Sequence, residues 1–113
     1  MTVPAPDALL ALRDALREFA DERDWDQFHS PKNLAAALSV EAAELLEHYQ
    51  WSETASDPAK VREELADVLL YLIRLADKLD IDLAAAARDK IALNAAKYPV
   101  EKVRGSARKY TDL

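Results

Sequence analysis

The sequence contains no cysteine and a single glycine, Gly105, in 113 residues. The absence of cysteine excludes disulfide bonds and thiolate metal sites, and it slightly favours a cytoplasmic location. The scarcity of glycine and of β-branched residues, beside many alanines and leucines, favours helices. No apolar run approaches the roughly 20 residues that cross a bilayer. Pro4, Pro6 and Asp7 also interrupt any secretory signal near the start. We therefore expect a helical protein with no membrane partner.

Acidic residues outnumber basic ones, 21 to 15, which gives a formal net charge of −6 at pH 7. A protein that binds a long nucleic acid needs a basic face to neutralise phosphates, so this charge argues against such a partner. A single nucleotide is not excluded, because a metal ion can mask the charge of its phosphates. With 113 residues the chain can form one domain with a real core, and we expect a single domain over 1–113.

Four helices are predicted from their start signals and apolar spacing. The first begins at Asp7 and carries apolar residues three and four positions apart. Ser30-Pro31 starts the second helix, which we expect to reach Trp51, and Asp57-Pro58 starts the third. Asp82 caps a shorter fourth helix, ahead of an irregular tail from about residue 99. One face of the third helix is expected to be apolar, with Val61, Leu65, Val68, Leu72, Leu75 and Leu79. The predicted fold class is all-α, most simply an antiparallel four-helix bundle.

Two pairs of carboxylates stand beside the apolar stripes of the second and third helices. Glu41 and Glu44 are three residues apart in EAAELLEHYQW, and Glu64 and Asp67 are three apart in EELAD. Residues at this spacing are neighbours on a helix surface, so antiparallel packing of the two helices would place both pairs in one cleft. Like charges about 4 Å apart repel by about 4 kcal/mol at an effective dielectric near 20, so some carboxylates must take up protons or share a divalent cation. Oxygen ligands of this kind suit Mg²⁺, with Mn²⁺ as a substitute.

Other interpretations of these carboxylates stay open at this point. A single Glu-x-x-Glu is often only a solvated helix face, whereas two such pairs on adjacent helices favour a site. In a non-catalytic helical interaction module, the same carboxylates would make interhelical salt bridges to Lys60, Arg62 or Lys78. A di-iron bundle is disfavoured, because neither histidine has a glutamate three residues before it.

Several segments, in the same order along the chain, resemble the MazG-like all-α nucleoside triphosphate pyrophosphohydrolases, in particular their dCTP pyrophosphatase branch. EAAELLEHYQW and EELADVLLYL are similar to the family's signature of ExxE, a spacer and ExxD. RDWDQFHSPKNLA, KIALNAAKYP and RGSARKYTDL are similar to further segments, so the likeness runs from about Arg23 to Leu113. The resemblance implies a helical bundle that works as a homo-oligomer, usually a dimer of dimers. It also implies Mg²⁺-dependent hydrolysis of a nucleoside triphosphate to the monophosphate and pyrophosphate. The expected substrate is dCTP or a modified or non-standard dNTP, and the expected role is sanitation of the nucleotide pool.

The resemblance assigns roles to the acidic residues. The implied Mg²⁺ ligands are Glu41, Glu44, Glu64 and Asp67. A carboxylate that is not fully used in coordination would take the proton of the attacking water. We expect this general base to be Glu44, with Glu41 as the other candidate.

The expected substrate contacts come from three parts of the chain. Flat rings stack on any base, and the candidates for the base pocket are Trp25, Trp51, Tyr71 and, beside them, His29. Lys90, Asn94 and Lys97 share one face of the fourth helix and resemble a family element that contacts phosphate or sugar. Further candidates for phosphate contacts are Lys32, Asn33, Arg104, Arg108 and Lys109. The ordinary alternatives are that the aromatic side chains are core or interface anchors and that the lysines lie on a solvated edge.

Overall fold

A computed structural model describes residues 7–113, and the regular structure of these residues is entirely helical. The proline-interrupted segment ahead of Asp7 lies outside the described residues. The main helices are α1 (Ala8–Glu22), α2 (Pro31–Glu47), α3 (Pro58–Lys78) and α4 (Leu83–Lys97), and the short elements are α5 (Val100–Val103) and 3₁₀ turns at Asp26–Phe28 and Tyr110–Asp112. The predicted all-α class is confirmed. Over residues 7–113, no helix is long and apolar enough to cross a membrane.

All four predicted helix starts are confirmed by the residues that cap them. The side chain of Asp7 accepts a hydrogen bond from the backbone N–H of Leu9 at 2.9 Å. Ser30, Asp57 and Asp82 each accept one from the N–H three residues further on, at 3.1, 3.4 and 3.0 Å. These bonds satisfy backbone donors that the first helical turn leaves free, which is why the start signals could be recognised locally.

Helix α2 is shorter than predicted, because it ends at Glu47 rather than near Trp51. The backbone N–H of Tyr49 bonds to the oxygen of Leu46 at 2.9 Å, which is the tighter three-residue spacing. The oxygen of His48 accepts from the N–H of Ser56 at 3.0 Å, and it is therefore used by the turn rather than by a further helical residue. The segment 48–57 is accordingly a turn that returns the chain to α3.

The predicted irregular tail is also corrected. Pro99 caps the four-residue helix α5, and its oxygen accepts from the N–H groups of Lys102 and Val103 at 2.9 and 3.2 Å. A helix of four residues is too short to show an apolar period, so the sequence pattern gave no sign of it.

Helices α1 and α3 end in the same way, with an aspartate in the left-handed region. Asp24 has φ 53° and Asp80 has φ 55°. The residue after each one donates its N–H back into the helix: Trp25 to the oxygen of Ala20, and Ile81 to the oxygen of Ala76, both at 2.9 Å. This position usually holds glycine. The backbone bonds at Asp24 fix where Trp25 leaves α1.

Residues 7–81 form one compact unit, in which α3 contacts both α1 and α2. Contacts between α2 and α3 run in opposite order, since His48 lies against Glu64 whereas His29, just before α2, bonds to Arg74. The two helices are therefore antiparallel, as predicted. Ala20, Leu34, Ile73 and Ala76 are the apolar residues buried in this unit.

Asp82–Leu113 forms a second compact unit, which contains α4 and α5. The single domain over 1–113, the four-helix bundle and the oligomer stay predictions.

The predicted apolar face of α3 is only partly buried. Val61, Val68, Leu72 and Leu75 are half-buried, but the side chains of Leu65 and Leu79 are exposed. The sequence pattern could not separate these two residues from the others, because the period places all of them on one stripe. Leu65 therefore faces away from the core that α1 and α2 provide.

Candidate active site

The two carboxylate pairs act on one another across the α2–α3 contact. Glu41 is half-buried, and burial is the main reason that its pKa is raised above the ordinary value of 4.5. The adjacent carboxyl of Glu44 raises this pKa further, and the negative charges of Asp67 and Glu64 on α3 add to the effect. The two pairs are thus close enough for Glu44, Asp67 and Glu64 to act on the pKa of Glu41, and this acidic neighbourhood is where the predicted site would lie.

Two carboxylate oxygens in this neighbourhood are buried without a hydrogen bond. They are Oε2 of Glu41 and Oε2 of Glu64. Nε2 of His48 lies in close contact with the Glu64 oxygen as an ion-pair partner, but no hydrogen bond of good geometry joins them. A buried acceptor that lacks a donor costs free energy, so the Glu41 oxygen is placed to accept a further partner such as a cation, whereas the Glu64 oxygen already has His48 beside it.

The four motif carboxylates do not form a ready-made set of metal ligands in this structure. Across residues 7–113, no group of three or more His, Asp or Glu side chains is arranged so that it could hold a metal ion. The chemistry of the donors fits a hard cation, because carboxylate oxygens are what Mg²⁺ prefers. The four residues therefore fit the predicted ion by donor type, and the unsatisfied oxygen of Glu41 is open to a cation.

The salt bridges required by the interaction-module interpretation are not formed by the described residues. None of Lys60, Arg62 and Lys78 is paired there with a carboxylate of the two motifs, and Lys78 instead contacts Asp26. Among the described residues, His48 is the one basic side chain in close contact with a motif carboxylate.

A cavity of about 240 Å³ opens beside Asp67. It is lined by Leu16, Phe19, Ala20, Trp25, His29, Asp67, Leu70, Tyr71 and Arg74. Three of the predicted substrate residues, Trp25, His29 and Tyr71, thus share one cavity with a predicted metal ligand. Its walls are mainly apolar and aromatic, with a few polar groups, which is the usual make-up of a small-molecule site.

Local structure holds the aromatic wall of this cavity in place. The ring of Trp25 meets Phe19 edge-on, with 5.7 Å between the ring centroids. The side-chain amide of Asn33 donates to the oxygen of Phe28 at 3.0 Å, and this bond ties the 3₁₀ turn to the start of α2. Asn33, predicted to contact phosphate, therefore has a structural bond already, and Lys32 beside it is exposed.

Trp51 is not part of this cavity. It lies in the turn after α2, and its side chain is 90% exposed. The assignment of Trp51 to the base pocket stays a prediction.

Arg74 is the residue that sequence reasoning missed. Its side chain is 7% exposed, and its guanidinium donates to Asp26 at 2.6 Å, to Asp77 at 3.4 Å and to Nδ1 of His29 at 3.2 Å. A sequence signal did exist, since Glu64, Asp67, Tyr71, Arg74 and Lys78 follow one another at spacings of three and four along α3. Residues at these spacings lie along one side of a helix, so Arg74 shares that side with two predicted metal ligands and Tyr71.

The ion pairs around Arg74 form a charged cluster, defined here as Arg17, Asp26, Arg74, Asp77 and Lys78. Arg17 bonds to both oxygens of Asp77, at 2.8 and 2.5 Å. The hydrogen bond from Arg17 is the main reason that the pKa of Asp77 is lowered, and the bond from Lys78 does the same for Asp26. Within this cluster, Arg74 and Lys78 fasten the loop after α1 to α3 through Asp26, whereas Arg17 joins α1 itself to Asp77.

The candidates on the second unit have their own contacts. Lys97 places its ammonium over the ring of Tyr110, 4.9 Å from the centroid, and Tyr110 meets Tyr98 edge-on. Nε of Arg108 donates to the hydroxyl of Ser106 at 3.3 Å. Lys90, Asn94, Arg104 and Lys109 are exposed. Their roles toward a substrate stay predictions.

Comparison with known proteins gives concordant matches. The MazG-like family model matches residues 36–113. Mouse dCTP pyrophosphatase 1 is 50% identical in an alignment 105 positions long, which covers 85% of this chain and 62% of that protein, and human dCTP pyrophosphatase 1 is 45% identical in an alignment 106 positions long. The chain thus spans about 62% of the length of these relatives.

The fold agrees with a solved structure as well. A pyrophosphatase from Archaeoglobus fulgidus is 39% identical, has a TM-score of 0.79, and is matched over 88% of this chain and 99% of its own. Taken with the carboxylate pairs on α2 and α3, these likenesses show that the chain belongs to the MazG-like family.

Proposed function

We propose that this chain is a Mg²⁺-dependent nucleoside triphosphate pyrophosphohydrolase. It converts dCTP, or a modified or non-standard dNTP, to the monophosphate and pyrophosphate, and it serves the cell by removing such nucleotides from the pool. The observation that supports this most is the position of Asp67, which belongs to the acidic neighbourhood and also lines the aromatic cavity. A nucleotide needs both surfaces, a ring-lined pocket for the base and an ion-binding surface for the phosphates. The relatives named dCTP pyrophosphatase support the choice of substrate.

The size of the cavity supports a pocket for the base alone. About 240 Å³ is less than the roughly 300–1,000 Å³ of sites that enclose a whole drug-sized ligand. A base held between aromatic walls would gain about 1–3 kcal/mol per stacked ring. The triphosphate would then extend past Asp67 toward the other carboxylates.

Glu41, Glu44, Glu64 and Asp67 would hold the metal ion. When bound, Mg²⁺ supplies positive charge that offsets the triphosphate and polarises its oxygens. With the ion bound, the carboxylates would orient the phosphate chain, and Glu44 would take the proton from the attacking water as general base, with Glu41 as the alternative. The apolar walls formed by Leu16 and Leu70 exclude water from the base. Lys90, Asn94 and Lys97 are proposed to contact the phosphates or the sugar.

We also propose that the active form is a homo-oligomer, most simply a dimer of dimers. Val40 and Leu46 on α2 are 57% and 68% exposed, and Leu65 and Leu69 on α3 are 53% and 38% exposed. These side chains lie on the two helices that carry the carboxylates. An apolar surface on such helices is typical of a face that a second copy covers. Sedimentation of the purified chain tests this part of the proposal.

The activity is tested by incubating the chain with a panel of dNTPs and Mg²⁺. Pyrophosphate should appear as the first product, and EDTA should abolish its release. Glu64→Gln is the decisive variant, and Glu63→Gln is its matched control, because Glu63 is the exposed neighbour of Glu64 on the same helix. Release of orthophosphate, or equal activity in both variants, would contradict the proposal. No turnover of any dNTP by the parent would leave the non-catalytic interaction module as the better interpretation.

A further inference from the structure

Arg74 connects the charged cluster with the wall of the base cavity. Its guanidinium contacts Asp26 and Asp77 on one side, and Nε donates to Nδ1 of His29 on the other. The Arg74 side chain is 7% exposed, so its guanidinium is largely shielded from water. The ion-pair partners alone would explain a structural arginine, but they do not explain the bond to a ring that lines the cavity.

The bond to His29 determines where the ring carries its proton. An arginine side chain has five N–H donors and no acceptor, and it does not lose its proton in proteins. Nδ1 of His29 must therefore be the acceptor, so this nitrogen carries no proton. A doubly protonated ring is excluded for the same reason, and a neutral ring with Nδ1 free has its proton on Nε2.

The rest of the surroundings favour the same form of the ring. His29 is half-buried, and burial is the first cause that lowers its pKa, followed by the positive charges of Arg74 and Lys78. Asp26 opposes this effect, but it is engaged by both cations. None of the described residues is hydrogen-bonded to Nε2. The Nε2–H group is thus the hydrogen-bond donor of the ring that is available to a ligand in the cavity.

We propose that Arg74 is a positioning residue of the base pocket, which holds His29 as a neutral ring with its Nε2–H as a hydrogen-bond donor to an acceptor atom on the edge of a nucleobase. This inference rests on the proposed function. It identifies a hydrogen bond that can distinguish one base from another, which stacking on aromatic rings cannot do. Aromatic walls accept any base, because every base has a flat face. A fixed donor favours bases that present a carbonyl oxygen or an unprotonated ring nitrogen at that position, and it disfavours a donor there.

The tautomer is measured directly by ¹⁵N NMR of the histidine side chains at neutral pH, without substrate. His29 is identified as the signal that is lost in His29→Phe, since the chain has only two histidines. In the parent, Nδ1 should show the shift of an unprotonated nitrogen and Nε2 that of a protonated one. In Arg74→Met, the signals should move toward a mixture of tautomers. A parent ring protonated on Nδ1, or on both nitrogens, would overturn the inference.

Steady-state kinetics with dCTP and Mg²⁺ test the consequence for the base. Arg74→Met should raise KM by about three- to tenfold, the range expected for one hydrogen bond, while kcat changes little. When Arg74→Met is added to the His29→Phe variant, KM should not rise above that of His29→Phe alone, because the two residues act as one unit. An equal rise in both backgrounds would overturn the inference, since Arg74 would then act without His29.

Arg17→Met is the matched control for a loss of structure. It removes the two bonds to Asp77 in the same cluster but has no contact with His29. The fold should survive Arg74→Met, because Asp26 keeps Lys78 and Asp77 keeps Arg17. Arg17→Met should leave KM and the His29 signals unchanged, and a shift equal to that of Arg74→Met would overturn the inference. If the parent releases no pyrophosphate from any dNTP, the proposed function fails and with it the contact to the base.

Discussion

Asp67 and Trp25 line the same cavity, although one belongs to α3 and the other to the loop after α1. This relationship places a predicted metal ligand on the wall of a predicted base pocket. Because α3 contacts both α1 and α2, it is the element that brings the acidic and the aromatic residues together. Changes on α3 should therefore affect both the phosphates and the base.

Glu64→Gln and Asp67→Asn should each lower Mg²⁺-dependent turnover by orders of magnitude while the protein stays folded. Each substitution keeps the shape of the side chain and removes its charge, so a cation loses a ligand without the creation of a cavity. Pyrophosphate release measures turnover, and circular dichroism measures folding. Near-parental activity in both variants would remove these residues from the site.

Glu41→Gln should leave the melting temperature in EDTA unchanged or raised. The folded state raises the pKa of Glu41 above 4.5, so the folded state holds the proton more tightly than the unfolded one. The stability linked to that proton is present at low pH and is lost as the pH rises through 4.5 and then through the folded pKa. At pH 7 the ionised group is thus a cost that glutamine lacks.

The same variant should gain less than the parent when Mg²⁺ and dCTP are added, because ligands stabilise the folded state by mass action. Melts of both proteins in the two conditions provide the comparison. A clear drop for Glu41→Gln in EDTA would contradict the acidic cleft, because it would show that Glu41 has a cationic partner. In the interaction module, loss of such a buried pair would cost about 3–5 kcal/mol.

Trp51→Ala should raise KM for the nucleotide without loss of stability. The ring is 90% exposed, and substitutions at exposed positions usually change the free energy of unfolding by less than about 0.5 kcal/mol. Trp25→Ala is the comparison, because Trp25 packs on Phe19 and should cost both stability and affinity. Calorimetry gives the stability and kinetics give KM. A loss of stability in Trp51→Ala with KM unchanged would make Trp51 an anchor of an interface.

Asp77→Asn should reduce the free energy of unfolding at pH 7 by about 1–2 kcal/mol, between the values for exposed and buried ion pairs. The hydrogen bond from Arg17 lowers the pKa of Asp77 below its ordinary value of 3.8. The stability from this bond is therefore present above pH 3.8 and is lost as the pH falls through the folded pKa. Denaturant titrations of parent and variant should converge in acid. Asp14→Asn is the control, because its side chain is 63% exposed and it should have little effect.

The parts of the structure that could be predicted are those that depend on neighbours in the sequence. Helix starts at Ser30 and Asp57 follow from a cap and a proline, and the pairing of Glu41 with Glu44 follows from the helical period. The end of α2 could not be predicted, because it depends on a bond from Ser56, eight residues beyond His48. Arg74 was missed for a related reason, since two of its partners, Asp26 and His29, come from a loop that lies 48 and 45 residues earlier in the chain. The exposure of Leu65 is also a property of packing, which a periodic pattern does not specify.

The aspartates that end α1 and α3 indicate where the folded state of this chain can be stabilised. A residue with a side chain in the left-handed region costs about 1–2 kcal/mol relative to the right-handed one, and glycine avoids most of that cost. Asp80→Gly should therefore stabilise the chain by about 0.5–1 kcal/mol in denaturant titrations, after the greater freedom of glycine in the unfolded state is subtracted. Asp24→Gly should gain less, because Asp24 accepts a side-chain hydrogen bond from Gln27 at 3.0 Å that glycine would lose. The end of α3 is thus a place where a thermostable variant can be engineered without altering any residue that lines the cavity.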